Sequence, residues 1–387
     1  PHATLLEILG HRGLLDPSRS GGLAPSGPSL LSIGDHFDYP PGIAPGERDG
    51  ATDDDLVDEA MREVGAEGVA TLRWLAGLPR RRAAILLGNH DVVRVAELAH
   101  LDDDAFARAR RRAREIERAS GDRDRAARLV DRFHADFPLV PAPGLLSRDF
   151  ASWSEEQRAL VARLLLDGRL ALATTARMDA WPEVEVLATH AGVTVREVEL
   201  LRHGGLLDPG EAVTPAALAA ALNRHLGRAV ERVHRDWERG EWTPLDLSPL
   251  HVAGAPREEG GGLLFHRPAD LESPAAAERA RWAAGGGTRP RRFDPRRLPR
   301  GLVQVCGHTS HRKSLEDLGA AWASEQVRAD RGDAIRLLAV EGDRVSYGPW
   351  TGERPPSGPG EASLLLLDAG MHRSPPAEFP LLDLRDA

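Results

Sequence analysis

The stretch Ala83-Ala84-Ile85-Leu86-Leu87-Gly88-Asn89-His90-Asp91 decides how this chain is read. An apolar run of strand length passes straight into a glycine turn that carries an amide, an imidazole and a carboxylate. The same construction recurs elsewhere. Leu30-Leu31-Ser32-Ile33 runs into Gly34-Asp35-His36-Phe37-Asp38, and Val184-Glu185-Val186-Leu187-Ala188 into Thr189-His190-Ala191-Gly192. Leu302-Val303-Gln304-Val305-Cys306 runs into Gly307-His308-Thr309. In open α/β sheets, ligands sit beyond the carboxyl ends of the strands. Strands that deliver Asp, Asn and His there, from Asp35 to His308, predict one catalytic sheet and not separate domains.

Composition bounds the alternatives. The chain has 387 residues, 41% hydrophobic and 28% charged, enough for a sizeable core. No apolar run approaches the ~18 residues of a membrane-spanning helix. A net charge of −9 disfavours nucleic acid and anionic membrane as partners. Lys313 is the one lysine among 50 Lys and Arg residues, a skew that reads, with the Ala, Gly and Pro richness, as codon bias in a GC-rich genome. The single cysteine, Cys306, excludes an internal disulfide and a cysteine-built zinc site, and suits a cytoplasmic protein. Residues 1–10 carry no basic n-region and no long apolar stretch, so no signal peptide is expected.

Between the strands the pattern is mostly helical. Amphipathic spacing predicts helices over 1–10 and 53–78, and an Arg/Ala-rich helical stretch over 96–135 that breaks around Gly121. Ser154 reads as an N-cap with Gln157 three residues on. The region from about 204 to 300 reads as loop or lid, with Gly/Pro-rich parts at 204–215 and 253–300. Residues 334–347 alternate around Glu341-Gly342-Asp343, and Leu364 to Leu367 form another apolar run.

Carboxylate, amide oxygen and two imidazoles make a mixed O/N donor set suited to Mn, Fe or Zn. The order Gly34-Asp35, Gly88-Asn89-His90-Asp91, His190-Ala191-Gly192, Gly307-His308-Thr309 resembles the calcineurin-like metallophosphoesterases. Asp368-Ala369-Gly370-Met371 resembles the Asp-x-Gly-Met signature of the phosphoprotein phosphatase branch, notably the bacterial Shewanella-like phosphatases. Gly-Asn-His-Asp is closer to diadenosine tetraphosphatases. The resemblance runs from Asp35 to Met371 and implies a single α/β domain over 1–387. Its fold would be a four-layer α/β/β/α sandwich with a helical insertion over about 92–182. It implies two divalent metal ions, Asp35 bridging both and Asn89, His190 and His308 completing the second ion's shell. His90 would be the general acid, oriented by Asp91, and a hydroxide held between the ions would attack the phosphorus.

The family's opening Asp-x-His motif is absent, and the helix from Pro1 resembles the one that follows it. The expectation is a chain that starts just after that motif, with the first metal site incomplete. His2, His11 and His311 read as surface histidines and not as substitutes. Where phosphoprotein phosphatases have Asp-Arg-Gly, this chain has Asp38-Tyr39-Pro40, so the phosphate-holding arginine must come from elsewhere. Arg94 and Arg267 are the candidates, since a guanidinium matches phosphate in two-pronged geometry.

The resemblance thus implies hydrolysis of a phosphomonoester, on a phosphoprotein or a small phosphorylated metabolite. The alternatives are cleavage of a dinucleoside polyphosphate or nucleotide pyrophosphate, and a non-catalytic binding protein on a decayed phosphatase fold. The basic run 108–118 reads as a solvated helix face, neutralised by Glu115, Glu117, Asp122 and Asp124. Gly260-Gly261-Gly262 lacks the Lys-Ser/Thr of a P-loop. Cys306 reads as a small buried hydrophobe, and Trp153, Trp237, Trp242 and Trp282 as core or loop anchors.

Overall fold

The computed structural model describes residues 2–16, 18, 21–25, 27–38, 54–272, 290–330, 334–352, 358, 360–368, 371 and 374–385. Pro1, Tyr39, Pro40, Trp282, Ala369 and Gly370, all singled out above, lie outside them.

The fold is mixed α/β. Strands β1 (Leu30–Ser32), β2 (Ala83–Leu86) and β3 (Leu170–Ala171) form a parallel sheet in that order. Strands β4 (Ala173–Met178) and β5 (Glu185–Thr189) pair antiparallel. Two short pairs follow, β6 (His251–Val252) with β7 (Gly261–Gly262), and β8 (Arg267–Pro268) with β9 (Arg292–Phe293). Next come β10 (Val303–Cys306), the hairpin strands β11 (Arg336–Glu341) and β12 (Arg344–Pro349), then β13 (Glu361–Leu366) and β14 (Leu384–Arg385). The larger sheet has the order β12-β11-β13-β10-β5-β4-β14, parallel only at its β13-β10-β5 centre.

All four apolar runs therefore become strands, but not in one sheet. The Asp35 and Asn89 turns leave the smaller sheet, whereas the His190 and His308 turns leave the larger. The expectation of a single catalytic sheet is corrected, because a run's period and length carry no information about which strand it pairs with. Leu86 of β2 shares an apolar cluster with Val186, Ala188, Val303, Val305 and Leu365 of the larger sheet. Burial of each such side chain stabilises by roughly 1.5–3 kcal/mol, so this contact fixes one sheet against the other.

The alternate β2 residues, Ile85 and Leu87, join a second cluster with helical residues. These come from α2 (Asp54–Gly77), α4 (Asp103–Arg118), α5 (Arg123–Asp136), α6 (Glu155–Leu166), α7 (Val195–His203) and α8 (Pro215–Glu238), while α1 (His2–His11) lies against α2 and α3 (Asn89–Val92) is one turn. A third cluster joins Cys306, Leu338, Val340, Leu364 and Leu366 to Leu318 of α9 (His311–Trp322), with Val327 of α10 (Glu325–Ala329) against it.

Within 92–182, β3 and β4 end the helical stretch, and within 204–300 lies the whole of α8. Thr214 caps that helix by accepting the Ala217 N–H, with Pro215 in the first turn, a start signal hidden by the Gly/Pro-rich surroundings. Gln157 lies in the helix that Ser154 caps, but its side chain turns away from the cap, to Ser152 and Arg94.

Candidate metal centre

Two glycines let the turns from the smaller sheet meet. Gly34 has φ 93°, and a Cβ there would lie 2.6 Å from Gly88 N and 2.9 Å from His190 Nδ1. A Cβ on Gly88 would strike the main-chain N and Oδ1 of Asp35. Bare backbone at both positions brings Asp35 beside the N-terminus of the Asn89 turn, where the His90 N–H donates to Asp35 Oδ1 at 3.0 Å. Only four described non-glycine residues have φ in the left-handed region, and three are here: Asp35 (58°), Asp38 (61°) and His308 (62°). Strain of this kind, about 1–3 kcal/mol per residue, concentrates at functional sites.

Asp35, His190 and His308 place candidate ligand atoms within 4.8 Å of one another, the one such group among the described residues. His190 Nε2 lies 3.2 Å from Asp35 Oδ1 and 3.0 Å from Asn89 Oδ1. Main-chain carbonyls orient both imidazoles. His190 Nδ1–H donates to Ile33 O at 2.6 Å and His308 Nε2–H to Phe265 O at 3.1 Å, leaving His190 Nε2 and His308 Nδ1 for a metal.

The charges suit this role. Burial alone would push the Asp35 carboxyl up, but the His190, His90 and His308 imidazoles hold it well below the ordinary range. Burial, reinforced by Arg267 and His190, pushes His308 far below its ordinary value and keeps it neutral with a free lone pair. His190 is raised: burial opposes, but Asp35 wins, as expected where a carboxylate and an imidazole face each other. A divalent cation there would take the place of the proton that His190 otherwise binds. Asp35, Asn89, His190 and His308 thus fit one metal ion.

His90 stands beside this group, 23% exposed. Its Nδ1 bonds Asp38 Oδ2 at 3.0 Å, and Asp38 also accepts Arg94 Nη2 at 2.9 Å, Ser152 N at 2.9 Å and Ser152 Oγ at 2.6 Å. Burial works against the Asp38 carboxylate, yet Arg94 and His90 hold it far below the usual range. Burial likewise works against charge on His90, but Asp35 and Asp38 raise it. These neighbours favour the charged imidazole, whose second proton would sit on Nε2.

The role expected of Asp91 is corrected. Its carboxylate accepts Gly88 N at 2.8 Å, Asp35 N at 3.1 Å, and His36 N and Nδ1 at 3.1 and 3.0 Å. It is a buried clip between the two turns, and it does not orient His90. Arg94 is corrected too. It is wholly buried, stacked 4.2 Å from the Phe37 ring centroid and bonded to Gln157, Asp38, Ser152 and the His90 carbonyl, with no exposed atom to offer a substrate.

Arg267 opens β8, half-buried, with its Nε buried and unbonded among the described residues. Burial, with Arg292 and Arg291 nearby, pushes its guanidinium down to about 10, and it feels Asp35. Lys313 of α9 and Asp368 after β13 share this field. Burial pushes Asp368 up, as does Asp35, and burial with Arg267 pushes Lys313 down.

Asp38, His36, Ser152 and Gln157 have no site role in the sequence reading. The available signal for Asp38 was its place three residues after Asp35 in the same polar turn. For Lys313 it was its uniqueness among arginines. No protein-family model matches the chain, and neither any curated protein nor any solved structure is similar to it. No helix among the described residues is long and apolar enough to cross a membrane.

Proposed function

We propose that this chain is a metal-dependent phosphoesterase that hydrolyses a phosphomonoester, on a small metabolite or a phosphoprotein, with His90 as general acid. The observation that carries this reading is the juxtaposition of a metal-fitting Asp35/Asn89/His190/His308 group with His90, whose Nδ1 bonds the buried Asp38 carboxylate. A divalent ion there, Mn, Fe or Zn, supplies Lewis acidity to a phosphoryl oxygen and lowers the pKa of water. His90 delivers the Nε2 proton to the departing alkoxide, Asp38 keeping the ring charged and aimed. Arg267, with an uncommitted Nε, holds the non-reacting phosphoryl oxygens. The two sheets with helical clusters on their outer faces support a four-layer α/β/β/α sandwich and one catalytic unit over the whole chain. A cytosolic setting fits Cys306, buried at the end of β10.

Metal analysis and a phosphatase panel with Mn, Fe and Zn test the proposal. Asp35→Asn and His190→Ala are expected to lose bound metal and all hydrolysis while remaining folded. A fully active Asp35→Asn protein would defeat the assignment. Two metal equivalents per chain would support a second ion sharing Asp35, and one would remove it. Dinucleoside polyphosphates in the same panel decide whether pyrophosphate cleavage replaces monoester hydrolysis. No turnover of any phosphoester by the metal-loaded protein would leave a binding protein on a phosphatase-like fold.

A further inference from the structure

Ser152, which bonds Asp38, also lines a cavity of about 440 Å3 bounded by α2, α4 and the segment that leads into α6. That volume is within the range of small-molecule pockets, ~300–1,000 Å3. Its apolar wall includes Phe106 and Trp153, whose rings lie 5.1 Å apart. Trp153 is 4% exposed, and its indole Nε1–H is buried with no hydrogen-bond acceptor among the described residues. A buried donor without an acceptor costs roughly 1–3 kcal/mol, which an acceptor on a ligand would recover.

The carboxylates of the wall are already engaged. Asp58 takes Arg110 and Arg114 at 2.8 Å each, Glu156 takes Arg73 at 2.9 Å, and Asp103 accepts the Glu155 N–H at 2.8 Å. Arg62 and Arg111, which line the same cavity, form no ion pair or side-chain hydrogen bond with any described residue. The unused capacity is therefore donors and positive charge beside a flat apolar surface.

We infer that this cavity binds a small organic anion, a phosphate or carboxylate carried on a flat ring, with the anion on Arg62 and Arg111 and the ring against Phe106 and Trp153. The occupant would touch Ser152 and Gln157, which also line the cavity and hold Asp38 and Arg94. It is thereby linked to His90 through Ser152 and Asp38, away from the metal-fitting group. This inference does not rest on the phosphoesterase reading.

The test uses AMP and benzoate as the phosphate-bearing and carboxylate-bearing probes, titrated calorimetrically into the full chain carrying Asp35→Asn, which disables the metal centre. One equivalent of at least one probe is expected to bind, and the preferred probe identifies the anion. The double variant Arg62→Ala/Arg111→Ala alters exposed side chains only, so its unfolding temperature is expected to be unchanged. It should lower affinity at least tenfold, about the loss of one charge-assisted contact. Trp153→Phe should weaken binding without abolishing it. Failure of both probes to bind at millimolar concentration, or affinity unchanged in the double variant, would overturn the inference.

Discussion

At the residue scale, the two aspartates near His90 exchange the roles that motif order suggests. Asp91 is adjacent in sequence, but the helical turn it occupies points its carboxylate back at Gly88, Asp35 and His36. Asp38, fifty-two positions away and with a left-handed backbone, reaches His90 Nδ1 at 3.0 Å. Asp38→Asn is expected to lower kcat about 10²-fold, within the range for general acid catalysis, with little change in metal content. It also removes one of the two carboxylates that raise His90, Asp35 being the other, so the alkaline limb of the pH–rate profile should move to lower pH. Arg94→Ala should act mainly on the fold. Leaving a buried carboxylate without its cation costs about 3–5 kcal/mol, readable as a lowered urea midpoint. Arg267→Ala, by contrast, should raise KM for a phosphomonoester about tenfold and leave the urea midpoint nearly unchanged. An unchanged KM would remove Arg267 as the phosphate clamp. Composition already held the hint that Lys313 is unusual, but only its proximity to Arg267 and Asp368 gives the hint chemical content.

At the element scale, the strands were the legible part. The four apolar runs become strands, the 334–347 alternation overlaps β11 and β12, and the Leu364–Leu367 run overlaps the end of β13, because alternation and short apolar runs report burial directly. Helix α8 was hidden by its Gly/Pro-rich flanks, and β3 and β4 by the helical stretch before them. What holds α8 in place is equally invisible in sequence. Asn223 Oδ1 accepts the N–H groups of Leu172 and Ala173 at 2.9 and 3.2 Å, and its Nδ2 donates to Ala173 O at 2.8 Å. Asn223→Ala should cost roughly 1–3 kcal/mol, the desolvation penalty of backbone groups left unsatisfied, measurable by denaturant titration. The turns carry a sharper prediction. Gly88→Ala would force the Asn89 turn away from Asp35, since the added methyl meets the Asp35 main-chain N, which cannot swing aside, as well as Asp35 Oδ1. Weaker metal binding and lost stability are expected together, whereas Gly205→Ala, with no atom near its Cβ position, should leave metal binding intact.

At the scale of the whole molecule, the acidic centre couples chemistry to stability. Asp35, Asp38 and Asp91 are all held below their ordinary values, in each case against burial, by neighbouring imidazoles or Arg94. A carboxyl whose folded value is depressed stabilises fully above its unfolded value, near ~4, and loses that contribution as pH falls through the folded value. Far-UV circular dichroism should therefore show a steep loss of structure below about pH 4, and Asp38→Asn should flatten that dependence. His90 runs the other way. Its raised value gives a contribution that is full below ~6.5 and fades as pH rises through the folded value.

What the sequence determined by itself is the inventory: four strand-end turns, their donor atoms, and a core patterned for a mixed α/β fold. Those follow from local rules, since periodicity and turn chemistry are written in neighbouring residues. Only the tertiary structure decided that the turns leave two different sheets, that Asp38 serves His90, and that Arg94 is a buried strut and not a clamp. The reason is physical. Pairing between strands and the facing of side chains are set by contacts across more than fifty residues, where a residue's type fixes its chemistry but not its partner.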